Sequence, residues 1–369
     1  FRDDDGRMER VLASGDVDAG GVLAGERNAR VKSGTLEVTW DSEGEVDFLL
    51  LDRDAVLQLD DQGLAARMVR VSNRDRTDGR WDFLAAGGVY LEGLTDGSKV
   101  SLQASRIEGV LEPDGKLGEA DISGSIRFTG PDSMAEADRG TVRPLEDEYA
   151  ITLLSSPVLR ARVSSERHRV TGQTISLRSG SQYIRAEGRV EATLLPEPGS
   201  TPGEPGGGQG MFRTGEAVHF VSRLMVGSPD GGTIRFDDDV RGWQGERTLS
   251  ADSVVLDKTT GDLTAEGKVG TRLPGTRAES LTDADFIHIT GRRLVYSREQ
   301  GQAVYTGDVH VRQAEGWLET DRLEAELQKD DSELELLRAV GNVVLEYRVR
   351  SEAGLPDRVQ GDSDRAEYH

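Results

Sequence analysis

The sequence predicts an all-β protein: an elongated, open, folded-over double sheet made from about nine copies of one strand unit. Three observations carry this expectation. A motif of the form apolar-x-apolar-x-Gly-x-Val recurs along the 369 residues. A second motif, apolar-x-small-polar-x-apolar-x-apolar, alternates with it. Both place apolar residues at every second position, the signature of a strand with one buried face and incompatible with a helix face.

The last clear copy of the first motif runs from Leu337 to Val343 around Gly341. Ala303 to Val309, Leu263 to Val269 and Ile184 to Val190 precede it, centred on Gly307, Gly267 and Gly188. Phe83 to Val89 and Ala120 to Ile126 fit around Gly87 and Gly124, and Asp54, Ser156 and Asp238 stand at three further centres. Two residues after every centre comes Val or Ile: Val56, Val89, Ile126, Val158, Val190, Val240, Val269, Val309 and Val343. Glycine inside a strand usually marks a bulge or sharp bend, so each centre is expected to be a corner where a long strand passes from one sheet to the other. A looser, earlier unit is expected at Leu12 to Val17, around Gly15.

The second motif is clearest at Leu318 to Leu323, Leu249 to Val254 and Leu102 to Ile107. Weaker copies include Leu64 to Val71, Ile289 to Tyr296 and Ser363 to Tyr368. Asp96-Gly97, Pro113-Asp114-Gly115, Asp230-Gly231 and Thr260-Gly261 supply turn signals between strands. Residues 196–210 are rich in Pro and Gly, like an interdomain linker. The repeat interval that contains them is 50 residues, and without these 15 it is 35, an ordinary repeat. The sequence therefore predicts a flexible loop inserted into one unit. It divides the chain into an N-terminal segment (1–30), repeats over 31–195, this loop, and repeats over 211–369.

Composition narrows the function. The chain is 36% hydrophobic and 30% charged, too lean for a thick central core but sufficient for a thin stack in which each repeat packs on its neighbours. A net charge of −22 disfavours nucleic acid as a partner. The absence of cysteine excludes disulfides and thiolate chemistry. No stretch reaches the roughly 20 apolar residues of a membrane helix, and a first residue of Phe1 is what removal of a signal peptide or anchor would leave.

No enzyme chemistry is expected. Gly261 to Val269 resembles a phosphate loop only faintly, with five residues between its glycines and Val269 where Ser or Thr is needed. The five histidines, His168, His219, His288, His310 and His369, show no ligand spacing. Asp237-Asp238-Asp239 lacks the spacing of a calcium loop and reads as a solvated bend. Catalytic, cofactor and metal residues are accordingly none.

The Gly-x-Val strand followed by a small-Asp-x-apolar strand resembles the OstA-like family of lipopolysaccharide-transport proteins. Gly341-Asn342-Val343 and Ser363 to Tyr368 carry the resemblance best. Residues 211–369 look like its LptA branch, a periplasmic bridge. Residues 31–195 look like its membrane-anchored LptC branch. The resemblance implies an open β-jellyroll whose interior carries the acyl chains of lipopolysaccharide, in the periplasm. It implies end-strand pairing with neighbouring modules of the same fold and partnership with an inner-membrane ABC transporter. The groove would be lined by Val89, Ile107, Ile126, Val158, Val190, Val240, Val254, Val269, Leu294, Val309, Val311, Leu323, Val343 and Leu345. The alternative is a structural or adhesive β-solenoid with a dry core.

Overall fold

The computed structural model describes residues 9–23, 27–59, 62–73, 79–95, 98–113, 116–146, 148–196, 211–212, 215–274, 286–314, 316–327, 334–350 and 356–368. Strands follow one another closely: β1 (Arg10–Leu23), β2 (Arg27–Trp40), β3 (Val46–Leu59), β4 (Gln62–Ser72), β5 (Trp81–Thr95), β6 (Ser98–Leu111), β7 (Leu117–Thr129), β8 (Ser133–Pro144), β9 (Tyr149–Leu154), β10 (Ala161–Ser165), β11 (His168–Gly172) and β12 (Thr174–Arg178). They continue with β13 (Ile184–Leu194), β14 (Val218–Gly227), β15 (Thr233–Gln244), β16 (Arg247–Asp257), β17 (Leu263–Pro274), β18 (Phe286–Ser297), β19 (Gln302–Gln313), β20 (Gly316–Leu327), β21 (Leu334–Arg350) and β22 (Pro356–Tyr368). The protein is all-β, with no helix among the described residues.

The chain forms two compact units. One holds Phe1–Ser165 and Gly172–Gly180, the other Glu166–Thr171 and Ser181–His369. In the first, β1 to β9 pair antiparallel in chain order, β8 also pairs with β10, and β9 with β12. In the second, β11 pairs with β13, and β13 to β22 pair in chain order. Residues 197–210 lie outside the described residues, but the ladder closes around them, with Leu194 opposite Val218 and Ile184 opposite Gly227. The division between units falls at 165–181 rather than at 196–210.

The corners have one backbone cause. Among the described residues, eight strands carry two consecutive residues with positive φ: Arg53-Asp54, Gly87-Gly88, Gly124-Ser125, Gly188-Arg189, Asp238-Asp239, Gly267-Lys268, Gly307-Asp308 and Gly341-Asn342. The ladder skips there. Thr306 pairs with Arg322 and Val309 with Thr320, leaving Gly307 and Asp308 opposite Asp321 alone, a two-against-one bulge that bends the strand. The left-handed region costs an L-residue about 1–2 kcal/mol, which is why six of the eight first positions are glycine. Gly267 has a second reason, since a Cβ there would stand 2.4 Å from Oδ2 of Asp252 on the neighbouring strand.

In the second unit, side chains from opposite sides of a register shift meet face to face. Phe220, before the register shift of β14 at Val221/Leu224, stacks on Phe236, before the bulge of β15, at 4.5 Å. Phe220 is paired with Gly242, beyond the bulge of β15, whereas Phe236 is paired with Met225, beyond the register shift of β14. The two rings therefore meet across the interior.

Two corners depart from the sequence reading. At the first, the positive-φ pair is Arg53-Asp54, so the corner starts one residue before Asp54. Ala55, 1% exposed, takes the inward position and Val56 is 37% exposed. At Ser156 there is no bulge. Pro157, which cannot donate to a ladder, sits in a turn between β9 and β10 closed by Ser156 N–H donating to Leu159 O at 2.8 Å. Val158 is consequently 96% exposed, against the expected inward placement.

Candidate functional site

The interior is built by the interplay of the two motifs. At seven of the eight bulges the Val or Ile that follows is paired across the ladder with the small residue of the second motif: Val89 with Ala104, Ile126 with Ala137, Val190 with Ser222, Val240 with Ala251, Val269 with Gly291, Val309 with Thr320 and Val343 with Ser363; at the first, Ala55 pairs with Ala66. Inside a corner the two layers converge, so a β-branched side chain fills the apex only if its neighbour is small. Sequence reading found both motifs but not this pairing, which requires the register.

Of the residues expected to line a groove, Val89, Ile107 and Ile126 in the first unit are buried. So are Val190, Val240, Val254, Val269, Leu294, Val309, Val311, Leu323 and Val343 in the second. Leu345 is half-buried. It is paired with Leu318, also half-buried, so the apolar interior of the second unit reaches the surface beside its last strands. Val158 stands apart from the set, in its turn. In the first unit an open cleft of about 220 Å³ is lined by Leu12, Ala13, Ser14, Thr35, Leu36, Glu37 and Leu50.

Few polar groups enter the interior. The hydroxyls of Tyr305 and Thr271 bond at 2.9 Å, again across the two layers, and burial pushes the Tyr305 phenol well above its ordinary pKa. Burial does the same to Tyr296. The outer face is charged and paired. Arg235 donates to Asp237 at 2.8 Å and Arg322 to Glu324 at 3.0 Å. Arg338 on β21 donates to Glu367 on β22 at 2.8 Å. Hydrogen bonds from Arg338 and Arg365 hold the Glu367 carboxyl at about 2.

Of the histidines on strands, His288 and His310 are exposed on the outer side and His219 is half-buried there, whereas His168 on β11 is half-buried on the same alternating face as buried Val170, and burial holds its pKa below the ordinary value. His219 lies 3.1 Å from the Thr193 hydroxyl through Nδ1 and stacks on Trp243. Among the described residues no group of three or more His, Asp or Glu is arranged to hold a metal ion. The buried side chains of the described strands are mostly apolar.

Sequence reasoning missed one set of residues. Met211 and Phe212 follow the 197–210 segment and turn inward. Met211 is 2% exposed, and the Phe212 ring meets Phe220 edge-on at 5.9 Å. Gln244 and Arg247, buried and paired with each other across the β15–β16 turn, donate to Glu216 O at 3.1 Å and Met211 O at 3.3 Å respectively. The sequence reading set these two residues at the start of the 211–369 repeats but gave them no place in the interior.

No curated protein matches the chain. Residues 288–369 match the family described as LptA/(LptD N-terminal domain) LPS transport protein. Among solved structures, one similar to this chain is LptH, the LptA-homologous periplasmic component of the lipopolysaccharide transport device of Pseudomonas aeruginosa. It is 16% identical, with a TM-score of 0.28, over 38% of this chain and 93% of that one. The chain is thus similar, through its last repeats, to the OstA-like family of lipopolysaccharide-transport proteins.

Proposed function

We propose that the protein is a non-enzymatic, periplasmic component of lipopolysaccharide transport that holds acyl chains in the interior between its facing layers. The observation that carries this reading is the largely apolar interior reaching the surface at Leu318 and Leu345, inside the segment that matches the transport family. Acyl chains gain roughly 0.8 kcal/mol for each CH2 taken from water, so a continuous apolar lining suffices to hold them. Among the described residues β22 pairs on one side only, with β21. Its free edge suits strand addition by a neighbouring module of the same fold, with an inner-membrane ABC transporter as the source of lipid. The two units correspond on this reading to an LptC-like and an LptA-like module.

One observation favours a second reading, a structural scaffold with a dry core: the inward side chains are nearly all enclosed, and Phe220 and Phe236 already fill the space between layers. Native mass spectrometry of protein purified from an envelope-containing host separates the two. Co-purified lipid at near-stoichiometric level supports transport. Protein free of lipid that also fails to bind added lipopolysaccharide supports the scaffold.

A further inference from the structure

We propose that Met211 and Phe212 are a built-in occupant of an acyl-chain site at the mouth of the second unit, and that Arg247 binds the anionic head of the amphiphile that displaces them. This inference rests on the lipid-transport reading and adds to it a site, its residues and a means of control.

The geometry is that of a ligand in a site. β13 ends at Leu194 and β14 starts at Val218, and these two residues face each other across the ladder. The chain between them is therefore not needed to complete the sheets. Yet it returns to place Met211 at 2% exposure, with Phe212 against the Phe220–Phe236 stack. An unbranched thioether side chain followed by an aromatic ring fills the kind of space an alkyl chain fills. Two of the bonds to this stretch run from Gln244 and Arg247 to backbone carbonyls, those of Glu216 and Met211, and bonds to carbonyls can be exchanged for bonds to another acceptor.

Alternation along β15 and β16 makes the donors part of the inner face. Val240, Gly242 and Gln244 are inward on one strand, and Arg247, Leu249 and Ala251 on the other. Gln244 and Arg247 are the last inward residues before the turn, so they stand at the rim of an otherwise apolar lining. An amphiphile whose chain replaced Met211 and Phe212 would bring its phosphate or carboxylate to this rim. There the guanidinium offers a planar fork of donors matched to an oxyanion. The site would be charge-complementary to an anionic lipid even though the chain as a whole carries −22.

An intramolecular occupant lowers apparent affinity by the fraction of protein whose site is open. The test uses the full chain and cis-parinaric acid, a fluorescent fatty acid with an anionic head. The double variant Met211→Ala, Phe212→Ala is expected to bind it about tenfold tighter than the parent, and Arg247→Gln in that background is expected to lose most of the gain. In the parent, saturating parinaric acid is expected to speed hydrogen exchange of the 211–216 amides, a readout that does not require a variant to fold. Equal or weaker binding by the folded double variant, or exchange at 211–216 unchanged or slowed by the probe, overturns the proposal while leaving lipid transport standing. Absence of binding by parent and variant alike, with both folded, overturns lipid transport itself.

Discussion

The Thr320 hydroxyl lies 3.0 Å from the carbonyl of Gly341, on the adjacent strand, and equally close to that of Val340. It joins the small residue of one motif to the bulge of the other, where the ladder leaves carbonyls without their usual strand partners. Ser33 and Ser222 make the related bond within their own strands, to Thr35 O and Leu224 O. Thr320→Val keeps the volume and leaves part-buried carbonyls without this donor, a loss of about 1 kcal/mol. Gly341→Ala places a Cβ at φ +83° and 2.9 Å from Oδ2 of Asp321, with an expected cost of about 1–3 kcal/mol. Adding Asp321→Ala should recover only the steric part. Urea denaturation of the four proteins checks each value, and an unchanged midpoint for Gly341→Ala would remove the corner its cause.

Tyr305 sets an alkaline limit. Its phenol is fully enclosed and favours the neutral form, so its folded pKa lies above the unfolded value of about 10. Stability from this group is fully present below about pH 10 and is lost progressively as pH rises from there toward the higher folded pKa. Spectrophotometric titration at the tyrosinate band is expected to show Tyr305 and Tyr296 ionising only as the fold is lost. Tyr305→Phe removes the partner of the Thr271 hydroxyl and is expected to cost about 1 kcal/mol. Ionisation of all seven tyrosines near pH 10 with native circular dichroism would contradict this.

At acid pH the sign reverses. The Glu367 carboxyl is held at about 2, below its ordinary 4.5, by Arg338 and Arg365. Its contribution to the β21–β22 pair is present above pH 4.5 and is lost as pH falls from there toward 2. Exchange protection of β22 amides is expected to drop over that window. Glu367→Gln should flatten the profile, and an identical profile in the variant would assign the loss elsewhere.

Deletion of residues 197–209 is expected to leave a single melting transition with little change in midpoint, because the strands on either side pair directly and loop length enters only logarithmically. Two transitions in the deletion protein, by calorimetry, would show the segment to be a tether between independent modules.

Much of the fold was legible because the corner makes a chemical demand. Two successive positive φ values select glycine, and the converging layers select a valine opposite a small residue, so the geometry is written as a repeat. Legibility failed where the demand was met otherwise. Arg53 and Asp54 accept the left-handed conformation without glycine, which shifted the frame by one residue. Pro157 replaced a bulge by a turn and carried Val158 outward. Met211 and Phe212 were invisible because their burial depends on a loop folding back, and no periodicity records that. The inward face was legible from alternation, whereas its closing in by Gln244 and Arg247 was not.

The central claim is that lipid contacts the inner face of the strands. Val309 and His310 are successive residues on β19, the first fully enclosed and the second exposed, and strand geometry sends them to opposite sides. A photo-crosslinking amino acid placed at each position in turn, irradiated in cells that are exporting lipopolysaccharide, reads the claim directly. The account predicts a lipopolysaccharide adduct from position 309 and none from position 310. Adducts of equal yield from both positions, or from neither while export continues, would contradict it.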